Sequence, residues 1–313
     1  MLLLRNDIKR NINASLAFIR IGKALIKKVI KKFKLKKTRQ DVVETKYNFE
    51  TQVKLHHFLN DAVFGQNNNK FCIHMSTKQL GCKNFDAVKF LDYMKKKCAD
   101  GILLIPAFTM EGTQYSSLKT KKCIIHETVK IKTGVISKIA ASDPDFRLVL
   151  HPTHSYLVLR TKLISNQTFK NYNGITTDNS PLKFLEINGG KVLNLGVGLN
   201  QTTFIHCIEE ENKIFPLQTL ARPIDGQCSS NEKSLKRSFC IRPLKPLLFH
   251  IRDCDAVKQE LINCGSLYEF KHNNARIQTI KMHQMRKNLQ VLANKGHTIY
   301  GKFHLTMEDE LKP

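Results

Sequence analysis

Thr203, His206 and Glu209 recur at every third position of TTFIHCIEE. On a helical turn that spacing puts a hydroxyl, an imidazole and a carboxylate on one face. Such a face can orient a nucleophile and take its proton. Upstream stand His151-Pro-Thr-His154-Ser155 and Ser180-Pro-Leu, which complete an ordered series between residues 146 and 211. The order of the series points to an acyl-transfer site, and what such a site would need for an amine acceptor follows from chemistry. An amine attacks a thioester only when unprotonated, so the site needs a base beside the nitrogen and donors aimed at the developing oxyanion. Glu209 is the first candidate for that base, or for the group that binds and orients the amine. His206 and His154 are the other catalytic candidates. His151-x-x-His154 with His206 or Cys207 lacks a recognisable zinc spacing, so no metal is expected.

These groups need elements to hold them. Ser180 before Pro181 marks a helix start, because Ser caps free N–H groups and Pro suits the first helical turn. Leu182, Phe184, Leu185 and Ile187 give this helix an apolar side, and Gly189-Gly190 supply the left-handed turn that ends it. The aliphatic run at 191–197 reads as a mostly buried strand, so the segment from Asn200 to Glu209 leaves a strand end. Further strands are expected near 71–74, 101–105, 148–150 and 156–160, alternating with helical stretches. The fold class is therefore α/β.

Taken in order, the motifs resemble the aminoglycoside 3-N-acetyltransferase family, whose members move acetyl from acetyl-CoA to an amine on a sugar. The likeness extends to FCIHMSTKQLG from Phe71, GILLIPAFT from Gly101 and Thr133-Gly134-Val-Ile-Ser137, and it runs from about Val53 to near the C-terminus. It implies a mixed central sheet flanked by helices, acetyl-CoA as acyl donor, and an amino-sugar acceptor. It also implies cofactor contacts at His74, Ser76, His151 and Ser155, and substrate contacts at Thr203 and Lys170. The family carries a histidine, taken to be its base, ten residues before the Ser-Pro pair. Here that place holds Lys170, and no histidine lies between His154 and His206. Two readings follow: an N-acetyltransferase, favoured by the retained motifs, and a non-catalytic member that binds a sugar or a protein partner, favoured by Lys170.

The 313 residues are 42% hydrophobic, enough for a substantial core, and their 51 Lys and Arg against 26 Asp and Glu leave a formal net charge of +25. Much of that excess lies in the first 40 residues, where SLAFIRIGKALIKKVIKKFKLKK from Ser15 reads as a basic amphipathic helix suited to an anionic membrane surface. Residues 1–45 are accordingly an N-terminal extension, and 46–313 the acetyltransferase-like domain. With no Trp, aromatic RNP pattern or zinc-finger spacing, nucleic acid is not the expected partner. Few acidic residues stand near the motifs, so a singly aminated sugar, free or linked to a nucleotide or lipid, fits better than a polycationic drug. Nine cysteines without a Cys-x-x-Cys pair suit a reducing cytoplasm, with peripheral attachment at the inner face of the membrane. Toward the C-terminus, the segment from Phe249 to Gly265 is expected as a strand and helix, 271–295 as a basic helix, and Asp225 to Lys236 as a mobile loop bordering the acceptor pocket.

Overall fold

In the computed structural model, the described residues are 49–65, 69–109, 112–120, 131–164, 169, 173–209, 219–229, 236–273 and 275–303. The basic N-terminal segment, expected as a helix, and Lys170 lie outside them. A seven-stranded mixed sheet organises the rest, in the order β3-β4-β2-β1-β5-β9-β8. Its strands are β1 (Lys70–Met75), β2 (Ile102–Pro106), β3 (Phe146–Val149), β4 (Tyr156–Leu159), β5 (Lys191–Leu195), β8 (Leu267–His272) and β9 (Ala275–Lys281). β1 runs parallel to both β2 and β5, and every other pairing is antiparallel.

The three parallel strands are mostly buried and largely aliphatic, as strands covered on both faces tend to be, with His74 and Asn194 as buried polar exceptions. All five residues of β2 are buried. Side chains alternate between two cores. Cys72, Leu104, Val158, Val192 and Ile280 belong to one, together with Leu182 and Leu185 of α6 (Pro181–Ile187) and Met285 and Leu289 of α9 (Met282–Asn294). Phe71, Ile73, Leu103, Leu193 and Ile277 belong to the other, with Leu55 and Phe58 of α1 (Gln52–Phe58) and Phe90, Leu91 and Met94 of α3 (Ala87–Lys97). The result is the α/β sandwich of helices about a mixed sheet that the motifs imply.

α6 forms as its sequence dictates. Ser180 Oγ accepts from Lys183 N at 3.1 Å, Pro181 occupies the first turn, and Gly189 takes φ +73° past the end. One expectation about it fails: Ile187 is 68% exposed, and Glu186 is buried in its stead. The reason is an ion pair. Arg286 of α9 grips both Glu186 oxygens, Nε to Oε1 at 2.5 Å and Nη2 to Oε2 at 2.7 Å, so a carboxylate replaces an aliphatic at the buried interface.

Three C-terminal expectations are corrected. Residues 267–281 form the β8–β9 hairpin, turned at Asn273 with φ +53°, and helix begins only at Met282. β9 buries Ile277 through Ile280 consecutively, on both faces of the sheet, which a basic helical reading of 271–295 overlooked. Of the loop expected at Asp225–Lys236, Asp225 to Ser229 and Lys236 belong instead to an antiparallel strand pair, β6 (Ile224–Ser229) with β7 (Lys236–Ile241), and residues 230–235 lie outside the described ones. Phe249 sits in a helix, α7 (Pro246–Ile251), started by Pro246, and α8 (Lys258–Asn263) follows a 3₁₀ turn. The remaining short elements are α2 (Thr77–Leu80), α4 (Gln114–Thr120), α5 (Val135–Ala141) and the ribbon of β10 (His297–Thr298) with β11 (Gly301–Lys302). Among the described residues no helix is long and apolar enough to cross a membrane.

Candidate active site

The C-terminal ends of β1 and β2, the turns after β3 and β5, and the β7–α7 connection enclose a cavity of about 480 Å³. His74, His151, His154, Thr203, His206 and Glu209 all line it. Ser76 and Ser155, expected to meet the cofactor, are not among the cavity's lining residues. Ser76 caps α2, accepting from Gln79 N at 3.3 Å, and Ser155 closes the His-Pro turn, donating to His151 O at 2.8 Å. Their types are dictated by backbone groups that would otherwise be unsatisfied.

Thr203–His206 is a 3₁₀ helix, whose period of three puts residues 203 and 206 on one side, and a turn carries the same spacing on to Glu209. His206 Nδ1 and Glu209 Oε1 are 2.6 Å apart, and Arg252 Nη1 lies 2.9 Å from His206 Nε2. A guanidinium only donates, so Nε2 accepts and Nδ1 carries the proton it gives to Glu209. Both ring nitrogens are thus engaged, one by Glu209 and one by Arg252. Arg252 is itself anchored on Asn200 O at 2.8 Å. Tyr300, in the C-terminal ribbon, reaches Glu209 Oε1 at 3.0 Å and Oε2 at 2.9 Å. Burial pushes its phenol well above its ordinary value, so it serves as a neutral donor.

The His-Pro turn provides a second set. His151 Nδ1 accepts from Thr153 N at 3.2 Å and His154 N at 3.0 Å, which assigns its proton to Nε2. Thr153 Oγ1 bridges His154 Nδ1 at 2.8 Å and His151 Nδ1 at 3.3 Å. His154 Nε2 then faces the amide of Gln114 at 3.1 Å, from α4. Desolvation, joined by His151 and His206, holds the His154 imidazole well below its ordinary pKa, and desolvation takes His74 down to about 4. Both rings are neutral at pH 7.

An adjoining cleft of about 720 Å³ shares Val197, Asn200 and Gln201 with the first and adds Lys78, His272 and Arg276. Two glycines shape it. Gly196, at φ +70°, lies so close to α2 that a Cβ would sit 2.5 Å from Ser76 O and Leu80 N, and a Cβ on Gly198 would meet Arg276 Nη1 at 2.8 Å. Bare backbone between two cations suits phosphate groups. Among the described residues no group of three His, Cys, Asp or Glu is placed to hold a metal ion. Sequence reasoning missed Tyr300, Arg252, Gln114 and Thr153. Thr153 lay inside the His-Pro motif and Arg252 inside the segment from Phe249 to Gly265, neither marked as a site residue.

Residues 72–290 match the aminoglycoside 3-N-acetyltransferase family. Among solved structures, the chain is similar to the apoenzyme of aminoglycoside acetyltransferase AAC(3)-IVa, at 15% identity and a TM-score of 0.58 over 79% of this chain and 90% of that one. It is similar to AAC-IIIb in binary complex with CoASH, at 16% identity and 0.58 over 78% of this chain and 97% of that one. The YokD protein from Bacillus subtilis gives 16% identity and 0.52 over 70% and 84%. These likenesses establish the shared fold. No curated protein matches in sequence. The match spans most of the sheet, α6 and the turn from Thr203 to Glu209, and by it the chain belongs to the aminoglycoside 3-N-acetyltransferase family.

Proposed function

We propose that the protein transfers an acetyl group from acetyl-CoA directly to the amine of an amino sugar. The observation that carries this reading is Glu209, a buried carboxylate held from behind by His206 and Tyr300, in one cavity with the neutral imidazole of His154. Glu209 binds and orients the amine and takes its proton. The nitrogen lone pair attacks the thioester carbonyl, the C–N bond forms, the C–S bond breaks, and the thiolate leaves to collect a proton. His206 and Tyr300 keep the carboxylate aimed, and Arg252 fixes the tautomer of His206. His154 Nε2 is the second acceptor within the cavity. A bound amine that displaces the Gln114 amide would reach it, and Thr153 would orient the ring.

Acetyl-CoA is assigned to the boundary between the two spaces. Its phosphates fit the cleft of Lys78 and Arg276, and its thioester then passes the end of β1, where His74 lines the cavity. CoASH bound to the similar AAC-IIIb supports that cofactor. Thr203 lines the acceptor side, and Lys170 stays assigned to the substrate on resemblance alone. The wider reading is one catalytic domain, residues 46–313, at the cytoplasmic face of a membrane, engaged by the basic segment 1–45 in surface-glycan synthesis on free, nucleotide-linked or lipid-linked sugars. Its support is the charge and patterning of that segment.

Calorimetric titration with acetyl-CoA, followed by thiol release over a panel of amino sugars, tests the proposal. Saturable binding with amine-dependent release is expected. Absence of acetyl-CoA binding would sink it, and tight binding without turnover on any amine would favour the non-catalytic reading.

A further inference from the structure

The ionisable residues of the catalytic cavity are unevenly signed. Among the described lining residues Glu209 is the one carboxylate, against Arg242, Lys245 and Arg252. Glu209 already accepts from His206 and Tyr300, so it has capacity for a single ammonium. An acceptor with several ammonium groups would bring the others toward these cations, a repulsive arrangement. Thr113, Gln114, Thr133, Asn173 and Gln201 add hydroxyls and amides, the wall that a sugar requires.

The two cations beyond the catalytic network are built into the rim. Arg242 is exposed and directly follows Ile241, the buried last residue of β7. Lys245 is half-buried, and desolvation draws its ammonium below the ordinary value. The backbone between them is pinned from three sides: Ala221 N to Pro243 O at 2.8 Å, Lys245 N to Thr219 O at 2.9 Å, and Leu244 N to Gln114 Oε1 at 3.3 Å. Gln114 also holds His154 Nε2, so one side chain ties this cationic rim to the catalytic turn. The cofactor's phosphates have cations of their own, Lys78 and Arg276, in the adjoining cleft.

We propose that the acceptor is a monoamino sugar carrying a phosphate, its amine bound at Glu209 and its phosphate at Arg242 and Lys245. The assignment rests on the acyl-transfer reading of the same cavity. A sugar 1-phosphate, a nucleotide-linked sugar and a polyprenyl-diphosphate-linked sugar all present this chemistry.

Glucosamine 1-phosphate, UDP-glucosamine, a short-chain prenyl diphosphate glucosamine and methyl glucosaminide serve as probes in calorimetry and thiol-release kinetics, with the wild type and the Arg242→Ala/Lys245→Ala double variant. At least one phosphorylated probe should exceed the methyl glycoside by about tenfold or more in affinity and in kcat/KM. The preferred probe names the source. The double variant should erase that preference while leaving the KM for acetyl-CoA unchanged. Equal use of the methyl glycoside would overturn the proposal, as would a loss in the double variant that falls on acetyl-CoA. Preferential binding of a phosphorylated probe without turnover would uphold the cationic site while refuting catalysis. Absence of binding by every phosphorylated probe, alongside turnover of an uncharged amine, would refute the cationic site alone.

Discussion

At the scale of single residues, the proposed mechanism separates groups that would touch the substrate from groups that would aim them. Glu209 faces the cavity, while both nitrogens of His206 are spent on Glu209 and Arg252. Glu209→Gln keeps the shape and removes the charge, and should lower kcat by about 100-fold or more with unchanged circular dichroism. Unaltered turnover would remove Glu209 from the mechanism. The buried histidines make a separate prediction about pH. His74 titrates at about 4 in the fold and near its ordinary 6.5 when unfolded, and His154 is displaced the same way. The unfolded chain therefore binds more protons below about pH 6.5, so their contribution to stability is intact above that pH and is lost as it falls toward 4. The melting temperature should drop between pH 7 and 5, and His74→Asn should flatten the drop. An equally steep profile in the variant would contradict the assignment.

At the scale of elements, three connections bring distant parts of the chain to one cavity. Gly196 lets the end of β5 pass α2, and a Cβ there would strike backbone at a positive φ. Gly196→Ala should destabilise by about 3 kcal/mol in denaturant unfolding, since neither neighbour can yield. A change below about 1 kcal/mol would show that the passage is slack. Arg286 ties α9 to Glu186 of α6 and, through Nη1 at 2.8 Å, to Cys207 O beside His206. The ribbon of β10 and β11 carries Tyr300 to Glu209, and Asp253 N to Ile299 O at 2.7 Å docks the ribbon beside Arg252. Tyr300→Phe keeps the ring and removes one hydrogen bond to a carboxylate. It should cut kcat by about tenfold and leave the KM for acetyl-CoA in place. A change in KM alone would mean that the ribbon only packs. What was legible here in sequence was local. Ser180, Pro181 and Gly189-Gly190 set α6 by capping alone, and the three-residue spacing of Thr203, His206 and Glu209 survived as a 3₁₀ turn. Tyr300 meets Glu209 across 91 positions and Arg252 meets His206 across 46, and no spacing rule reaches that far. The β8–β9 hairpin was obscured because Lys271, His272, Arg276 and Lys281 look like one basic face, although Ile277 and Ile280 are strand residues turned to opposite cores.

At the scale of the whole molecule, a positively charged chain surrounds a cavity with one carboxylate among its described lining residues. Under the proposed function, that balance suits acetyl-CoA and an acceptor with one amine. The α/β class and the sequence of motifs were readable because strand burial and capping leave periodic, short-range marks. The acceptor side was not, because its cations lie on a connection beyond those motifs. Acetyl-CoA turnover, with the released thiol and the N-acetylated sugar quantified together in wild type and Glu209→Ala, tests the central claim most directly. The account predicts one thiol per acetylated amine in the wild type and neither product above background in the variant. Thiol release without an acetylated amine, or equal product from both proteins, would contradict it.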